Sequence, residues 1–292
     1  VVRITTSAPL DPHADRQDLL EELLATVPDA PPELWARACY TAVGSAFEEG
    51  SWEKTLPYGE EAIRRFDELG DDSQRAYSQM MLAYCLWGAG RDGVEPLLRA
   101  ALVSFEALDD TMGEAYICWV LSQWRLHIDP DDDEAEPLSR RSVELFTQVA
   151  SPFGLAHARE GRGYVLAQQG HLAEAMGQMR QAADGLRAVG HMGCVAHALD
   201  GAALVLVLDD RHDEGAQLVG AAERLREETG AGERPWEIAA RELCGRALEQ
   251  ELSRSQLESA KARGRARRPE TLFDDVGLLL ADDRFHEPAD DG

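Results

Sequence analysis

The stretch AYSQMMLAYCLWGAGRDGVEPLLRAALVSFEALDD (Ala76–Asp110) decides the fold. It starts on an alanine, carries a helical apolar period to Gly90, restarts near Pro96, places Phe105 on a second apolar period and breaks at Asp109-Asp110. The same landmarks recur five times. Gly50, Gly90, Asp129, Gly170 and the pair Asp209-Asp210 each end one helical run. Ala36, Ala76, Ala115, Ala156 and Ala196 stand thirteen or fourteen residues before them. Phe66, Phe105, Phe146, Leu186 and Leu225 stand fifteen to seventeen residues after. A period of about 40 residues, kept over residues 31–230, predicts stacked helix pairs and hence a solenoid. Such arrays present surfaces for recognition more often than reaction centres.

Three prolines support the register independently. Pro57, Pro96 and Pro137 each precede their Phe landmark by nine residues. Proline is tolerated in the first turn of a helix, where its missing N–H had no partner. The spacing therefore predicts that each proline opens the second helix of a pair. The first pair is predicted at about residues 33–49 and 53–69, with Gly70 as a left-handed exit turn.

Outside the repeats the pattern changes. Residues 1–30 read as a flexible start with one amphipathic helix, Asp15–Val27, closed by Asp29-Ala30-Pro31-Pro32. Residues 231–292 read as a helical cap, a basic stretch, a short apolar run over Leu272–Leu280 and an acidic tail. The chain starts at Val1, which fits a non-Met start codon or a piece of a longer protein.

Composition narrows the function classes. The chain has 292 residues and a formal charge of −25, which argues against an extended nucleic-acid face. Lys261–Arg268 is its densest basic patch and is read as an internal contact to acidic helices or to a missing domain. No run of about 20 apolar residues suggests a membrane span, and no basic and apolar block suggests a signal peptide. Five cysteines occur without a C-x-x-C pair and are read as small buried apolar residues in a reducing cytoplasm. The acidic loop Asp129–Glu136 lacks the glycine and register of a calcium loop and is read as a solvated turn.

The landmarks resemble the tetratricopeptide repeat, with a longer period; Gly163-Tyr164 and Val43-Gly44 come closest to its W-x2-L-G-x2-Y signature. The longer period is similar to the tetratricopeptide-like C-terminal region of large bacterial ATPase regulators of the MalT, LuxR-type and AfsR-type group. LLATVPDAPPELWARA (Leu23–Ala38), GAAERLREETGAG (Gly220–Gly232) and SQLESAKARGRARRPETLFDDVGLLL (Ser255–Leu280) carry that resemblance. The group's phosphate loop, G-x-x-x-x-G-K-[ST], and its helix-turn-helix are missing from this sequence. What remains resembles the sensor arm alone.

The resemblance implies that the first helix of each pair lines a concave face. Residues three and four apart on those helices then form one stripe. Its rows are Arg37, Tyr77, Tyr116, His157 and His197; Tyr40, Met80, Trp119, Glu160 and Asp200; and Gly44, Tyr84, Gln123, Tyr164 and Ala203. Five of six tyrosines fall there, which suits a wet binding groove; the competing reading is inter-repeat core. His157/Glu160 and His197/Asp200 place a histidine three residues before an acid in adjacent repeats. That pattern fits a polar patch, a metal site or an acid–base pair. No nucleophile is positioned beside them.

The expectation is an all-α, right-handed superhelix of five tetratricopeptide-like helix pairs. It binds a small effector, a peptide or a protein segment in its groove, without catalysis, cofactor or metal. It passes occupancy to an ATPase or DNA-binding partner, in the same chain or separate. A stand-alone protein scaffold, and an enzyme built on the His157 cluster, are the alternatives.

Overall fold

A computed structural model of the chain describes residues 31–49, 52–231 and 234–267. The predicted leading helix Asp15–Val27, the apolar run Leu272–Leu280 and the acidic tail lie outside the described residues. Every regular element among the described residues is a helix. In chain order they are α1 (Pro32–Glu49), α2 (Trp52–Leu69), α3 (Asp72–Gly88), α4 (Val94–Ala107), α5 (Thr111–Ile128) and α6 (Ala135–Gln148). Then follow α7 (Pro152–Gln168), α8 (Leu172–Ala188), α9 (Met192–Leu208), α10 (His212–Thr229), α11 (Pro235–Glu251) and α12 (Arg254–Arg265). None of them is long and apolar enough to cross a membrane.

The turns explain why the landmarks are glycine or aspartate. Gly90, Gly170 and Asp210 hold φ of 64°, 80° and 60°, a region costly for residues with a Cβ and least so for Gly and Asp. At the third landmark Asp129 is extended instead (φ −144°), and the chain takes a longer path to α6. In that path Asp132 turns inward onto Arg125, so the loop is not wholly the solvated turn its composition suggests. The opposite ends are capped alike. Asp71, Asp110 and Ser151 accept from the N–H groups of Gln74 (3.0 Å), Gly113 (2.9 Å) and Gly154 (3.3 Å), opening α3, α5 and α7.

The chain forms two compact units, divided inside α4 between Leu97 and Leu98. In the first, Ala36, Cys39, Ala62 and Phe66 form a core flanked by Trp35, Tyr40 and Tyr58. Here one expectation fails. Pro96 and Pro137 are the third residues of α4 and α6, but Pro57 is the sixth residue of α2, in its second turn. The cause is Trp52. Starting α2 at Trp52 seats the indole on Gly88, where an added Cβ would fall 2.5 Å from the ring, and 5.5 Å from the Tyr84 ring. Pro57 consequently lacks the N–H that would bond the Glu53 carbonyl. Its nine-residue spacing to the buried Phe66 is unchanged.

In the second unit, each helix from α5 to α10 packs on its chain neighbour. The first helices of successive pairs also touch, α5 on α7 and α7 on α9. The Phe landmarks lock this packing. Phe105 and Phe146 press on Gly113 and Gly154, where a Cβ would lie 2.2 Å from each ring. Only a residue without a side chain fits under a landmark phenyl ring at those positions. Where the landmark shrinks to Leu186, the residue eight further on is Cys194 rather than glycine. Cys39, Cys85, Cys118 and Cys244 are buried, and burial lifts their thiols to about 11, 11, 12 and 12 respectively. They therefore stay protonated and unreactive.

The end of the unit folds back on the repeats. Helix α11 packs on α9 and reaches α5, while α12 packs on α10. The basic stretch on α12 makes the internal contact its charge suggests. Lys261, Arg263 and Arg265 meet Glu223, Asp213 and Glu227 of α10, each at 2.5 Å.

Candidate functional site

Helix α7 places His157 and Glu160 on one face, three residues apart, and α9 places Cys194, His197 and Asp200 beside them. All five belong to or adjoin the predicted stripe. The structure adds two residues from the start of α11. Arg234 precedes Pro235, the first helical residue, and Glu237 sits at the third position, where its carboxylate accepts from the Arg234 N–H at 3.3 Å.

The Arg234 guanidinium fills the space between α7 and α9. Its Nη1 donates to Glu160 Oε1 and Oε2 at 3.2 and 3.3 Å and lies 3.3 Å from Glu237 Oε1. Its Nη2 faces His157 Nδ1 at 3.4 Å and Cys194 Sγ at 3.7 Å. The Trp119 ring lies 5.8 Å from the guanidinium carbon, within cation–π reach. Glu160 and Glu237 are solvent-free, and Arg234 is 5% exposed. A charge so buried is tolerated only when paired and hydrogen-bonded. One arginine thus bridges two carboxylates that two different helices bring into the interior.

The histidines are held by stacking and by carboxylates. His157 stacks on Trp119, with centroids 5.5 Å apart and planes at 27°, and meets Phe153 edge-on at 4.4 Å. Its Nδ1 lies 3.2 Å from Glu160 Oε2. Burial, and then the Arg234 charge, lower the His157 imidazole to about 4, so it is neutral at physiological pH. Burial alone would raise the Glu160 carboxyl, but Arg234 and His157 outweigh it and hold it below the ordinary carboxylate range. His197 Nδ1 lies 2.7 Å from Glu237 Oε2, not beside Asp200. Tyr164 donates its hydroxyl to the His197 carbonyl at 3.1 Å. Asp200 turns away to Arg226, and burial pushes its carboxyl up to about 6 against that partner.

The histidine–acid pairing expected within each repeat therefore holds for His157/Glu160 and not for His197/Asp200. The physical reason is the helix ahead of them. Glu237 and Arg226 come from outside the stripe and supply closer partners. The four residues lie inside the protein. Among the described residues, no three histidine, cysteine or carboxylate side chains converge to hold a metal ion.

The other stripe residues separate by burial. Trp119 and Gln123 are buried, with Gln123 Nε2 donating to the Gly161 carbonyl at 3.0 Å. A Cβ on Gly161 would meet the Trp119 indole at 2.5 Å, so that ring is wedged between α5 and α7. Tyr116 is half-buried, edge-on to Phe146 at 4.8 Å. Tyr164 is buried. In the first unit, Met80 and Tyr84 are buried, Tyr40 and Tyr77 are half-buried, and Arg37 is exposed. An open aromatic groove is thus not what the second unit presents. Its stripe is packed, first by neighbouring helices and then by α11.

Arg234 and Glu237 were missed because the repeat period ends before them. A signal existed. Glu160 sits on the apolar, inward-facing side of a repeat helix, and a carboxylate there requires a cation from elsewhere. Compared with known proteins, the chain matches no family model and no curated protein.

Proposed function

We propose that the chain is a recognition module: a right-handed superhelical array of tetratricopeptide-like pairs that seats a protein segment on the face of its first helices. The module serves a bacterial signal-transduction or transcription regulator in the cytoplasm and passes occupancy to an ATPase or DNA-binding partner. What supports the reading is α11. It lies on α9, reaches α5 and sinks one anchoring arginine, Arg234, between α7 and α9. That is how helix-in-groove recognition works elsewhere: a helix supplies shape and one buried arginine or aromatic supplies most of the energy. Here the recognised helix belongs to the same chain. The stripe residues Trp119, His157, Glu160 and His197 supply its pocket.

The reading is tested in trans. A labelled peptide of residues 230–251 is titrated into the full chain and into its Arg234→Ala variant. In wild type, the tethered copy competes at an effective concentration on the order of millimolar. The variant, with its own anchor removed, should bind the peptide saturably and at least tenfold more tightly than wild type does. A peptide carrying Arg234→Ala should not bind. A helical, folded variant that ignores the wild-type peptide ends the proposal.

A further inference from the structure

Helices α5, α7 and α11 meet around a cavity of about 130 Å³. Gln123 and Tyr164, two residues of the predicted stripe, line it together with Ala240, and all three are buried. Leu126 adds apolar wall. His127, Pro130 and Ala239 also line it and are exposed, so they mark its mouth, with the half-buried Gln168.

Charge, hydrogen bonding and size define what the cavity takes. Among the described residues that line it there is no carboxylate, lysine or arginine. Partial burial lowers the His127 imidazole from its ordinary 6.5, which keeps it neutral at physiological pH. Nothing there offsets the desolvation of an ion, so the ligand is uncharged. Gln123 is 1% exposed, and its Nε2 donates to the Gly161 carbonyl at 3.0 Å and the Ser122 hydroxyl at 3.1 Å. Those bonds fix the orientation of the amide. Its Oε1, on the other side of the amide, has no donor. The Tyr164 hydroxyl is committed to the His197 carbonyl and does not serve it. A buried acceptor without a donor is costly, so a ligand hydroxyl that reaches it gains more than one exposed to water. Size sets the rest of the ligand. An apolar cavity of about 150 Å³ takes benzene. We propose that this cavity binds a phenol: one neutral ring against Leu126, Tyr164 and Ala240, its hydroxyl donating to Gln123 Oε1.

The site goes beyond the recognition reading and does not require α11 to leave the repeats. Phenol, toluene and N-acetyltyrosinamide are titrated into the full chain, and saturation-transfer NMR reads binding. Toluene matches phenol in size and lacks the donor. Phenol should bind saturably and about fivefold or more tightly than toluene, as for one hydrogen bond to a buried acceptor. Gln123→Met removes the acceptor at nearly constant length and should bring phenol down to the level of toluene. Ala239→Trp, at an exposed position on the mouth, should abolish binding of both while circular dichroism shows the helices intact. N-acetyltyrosinamide separates the sources. Binding equal to that of phenol supports the site and assigns it to a tyrosine of a partner protein. Its exclusion while phenol binds supports the site and assigns it to a free small molecule. No saturable binding of phenol overturns the proposal. Equal binding of phenol and toluene to the wild-type chain overturns it too, whatever the variants do to folding, as does undiminished phenol binding by folded Ala239→Trp.

Discussion

Arg234 and Glu160 stand seventy-four positions apart in the chain and 3.2 Å apart in the fold, both closed off from solvent. The pair ties the segment after the last repeat to the fourth repeat. Its energetics are asymmetric. Removing one partner leaves an uncompensated buried charge, at a cost of about 3–5 kcal/mol, whereas replacing both by apolar groups is often neutral.

Glu160→Leu and Arg234→Met are therefore expected to destabilise the protein strongly when made singly. The double variant should be more stable than the sum of the single losses predicts, with Glu237 and His197 left to pair with each other. Urea denaturation of the four proteins reads the coupling. Additive losses would mean that the two side chains do not interact energetically.

The pH dependence of stability follows from three buried groups whose signs differ. His157 falls from 6.5 to about 4 on folding, so the unfolded chain binds the extra proton and stability is lost as pH drops from about 6.5 to 4. Asp200 rises from 3.8 to about 6, so the folded chain binds the extra proton and stability is gained over nearly the same range. Glu160, depressed from 4.5, adds a loss below about that pH. Wild type should thus change little between pH 6 and 4.5 and fall steeply below. Asp200→Asn removes the compensating term. Its melting temperature should decline throughout the interval from pH 6 to 4, which thermal melts at half-unit steps would detect.

Docking of α12 rests on two glycines. A Cβ on Gly264 would lie 1.8 Å from the Gln217 carbonyl oxygen, and one on Gly220 would lie 2.2 Å from the Lys261 carbonyl oxygen. Both obstacles are backbone, so neither can move aside without separating the helices. Gly264→Ala should release α12 from α10 while leaving the repeats folded. Hydrogen exchange would show α12 amides losing protection in the variant and amides of α5 to α9 keeping theirs. Protection unchanged in α12 would refute the close contact.

The repeat was legible in sequence because its determinants are local. A left-handed turn restricts residues to glycine, aspartate and a few others, and the phenyl rings of Phe105 and Phe146 each demand a neighbour without a side chain, Gly113 and Gly154, eight residues on. Both leave fixed spacings. Helix α1 starts one residue before the predicted Glu33, and α2 one residue before the predicted Glu53. The partners of the stripe were not legible for the opposite reason. Arg234, Glu237 and Arg226 reach their targets through tertiary folding, and no period relates them to His157 or Asp200. Periodicity could show that His157, Glu160 and Tyr164 share a face. It could not show that the face is covered. The tyrosine and tryptophan content was ambiguous in principle, since an amphipathic ring suits a wet groove and a helix–helix wedge equally well.

Trp119 now separates those two roles. Its indole lies over Gly161, stacks with His157 and borders the Arg234 guanidinium, and it is 5% exposed. A ring in that position is packing, whatever else it recognises. Trp119→Ala should cost about 3–5 kcal/mol of stability, the usual range for an aromatic cut from a core. Tyr77, half-buried on the first unit's stripe, is the control. Tyr77→Ala should cost much less, about 1 kcal/mol, a typical value for a single substitution. Denaturant midpoints of the two variants give the comparison. A loss no larger than that of Tyr77→Ala would overturn the packing role.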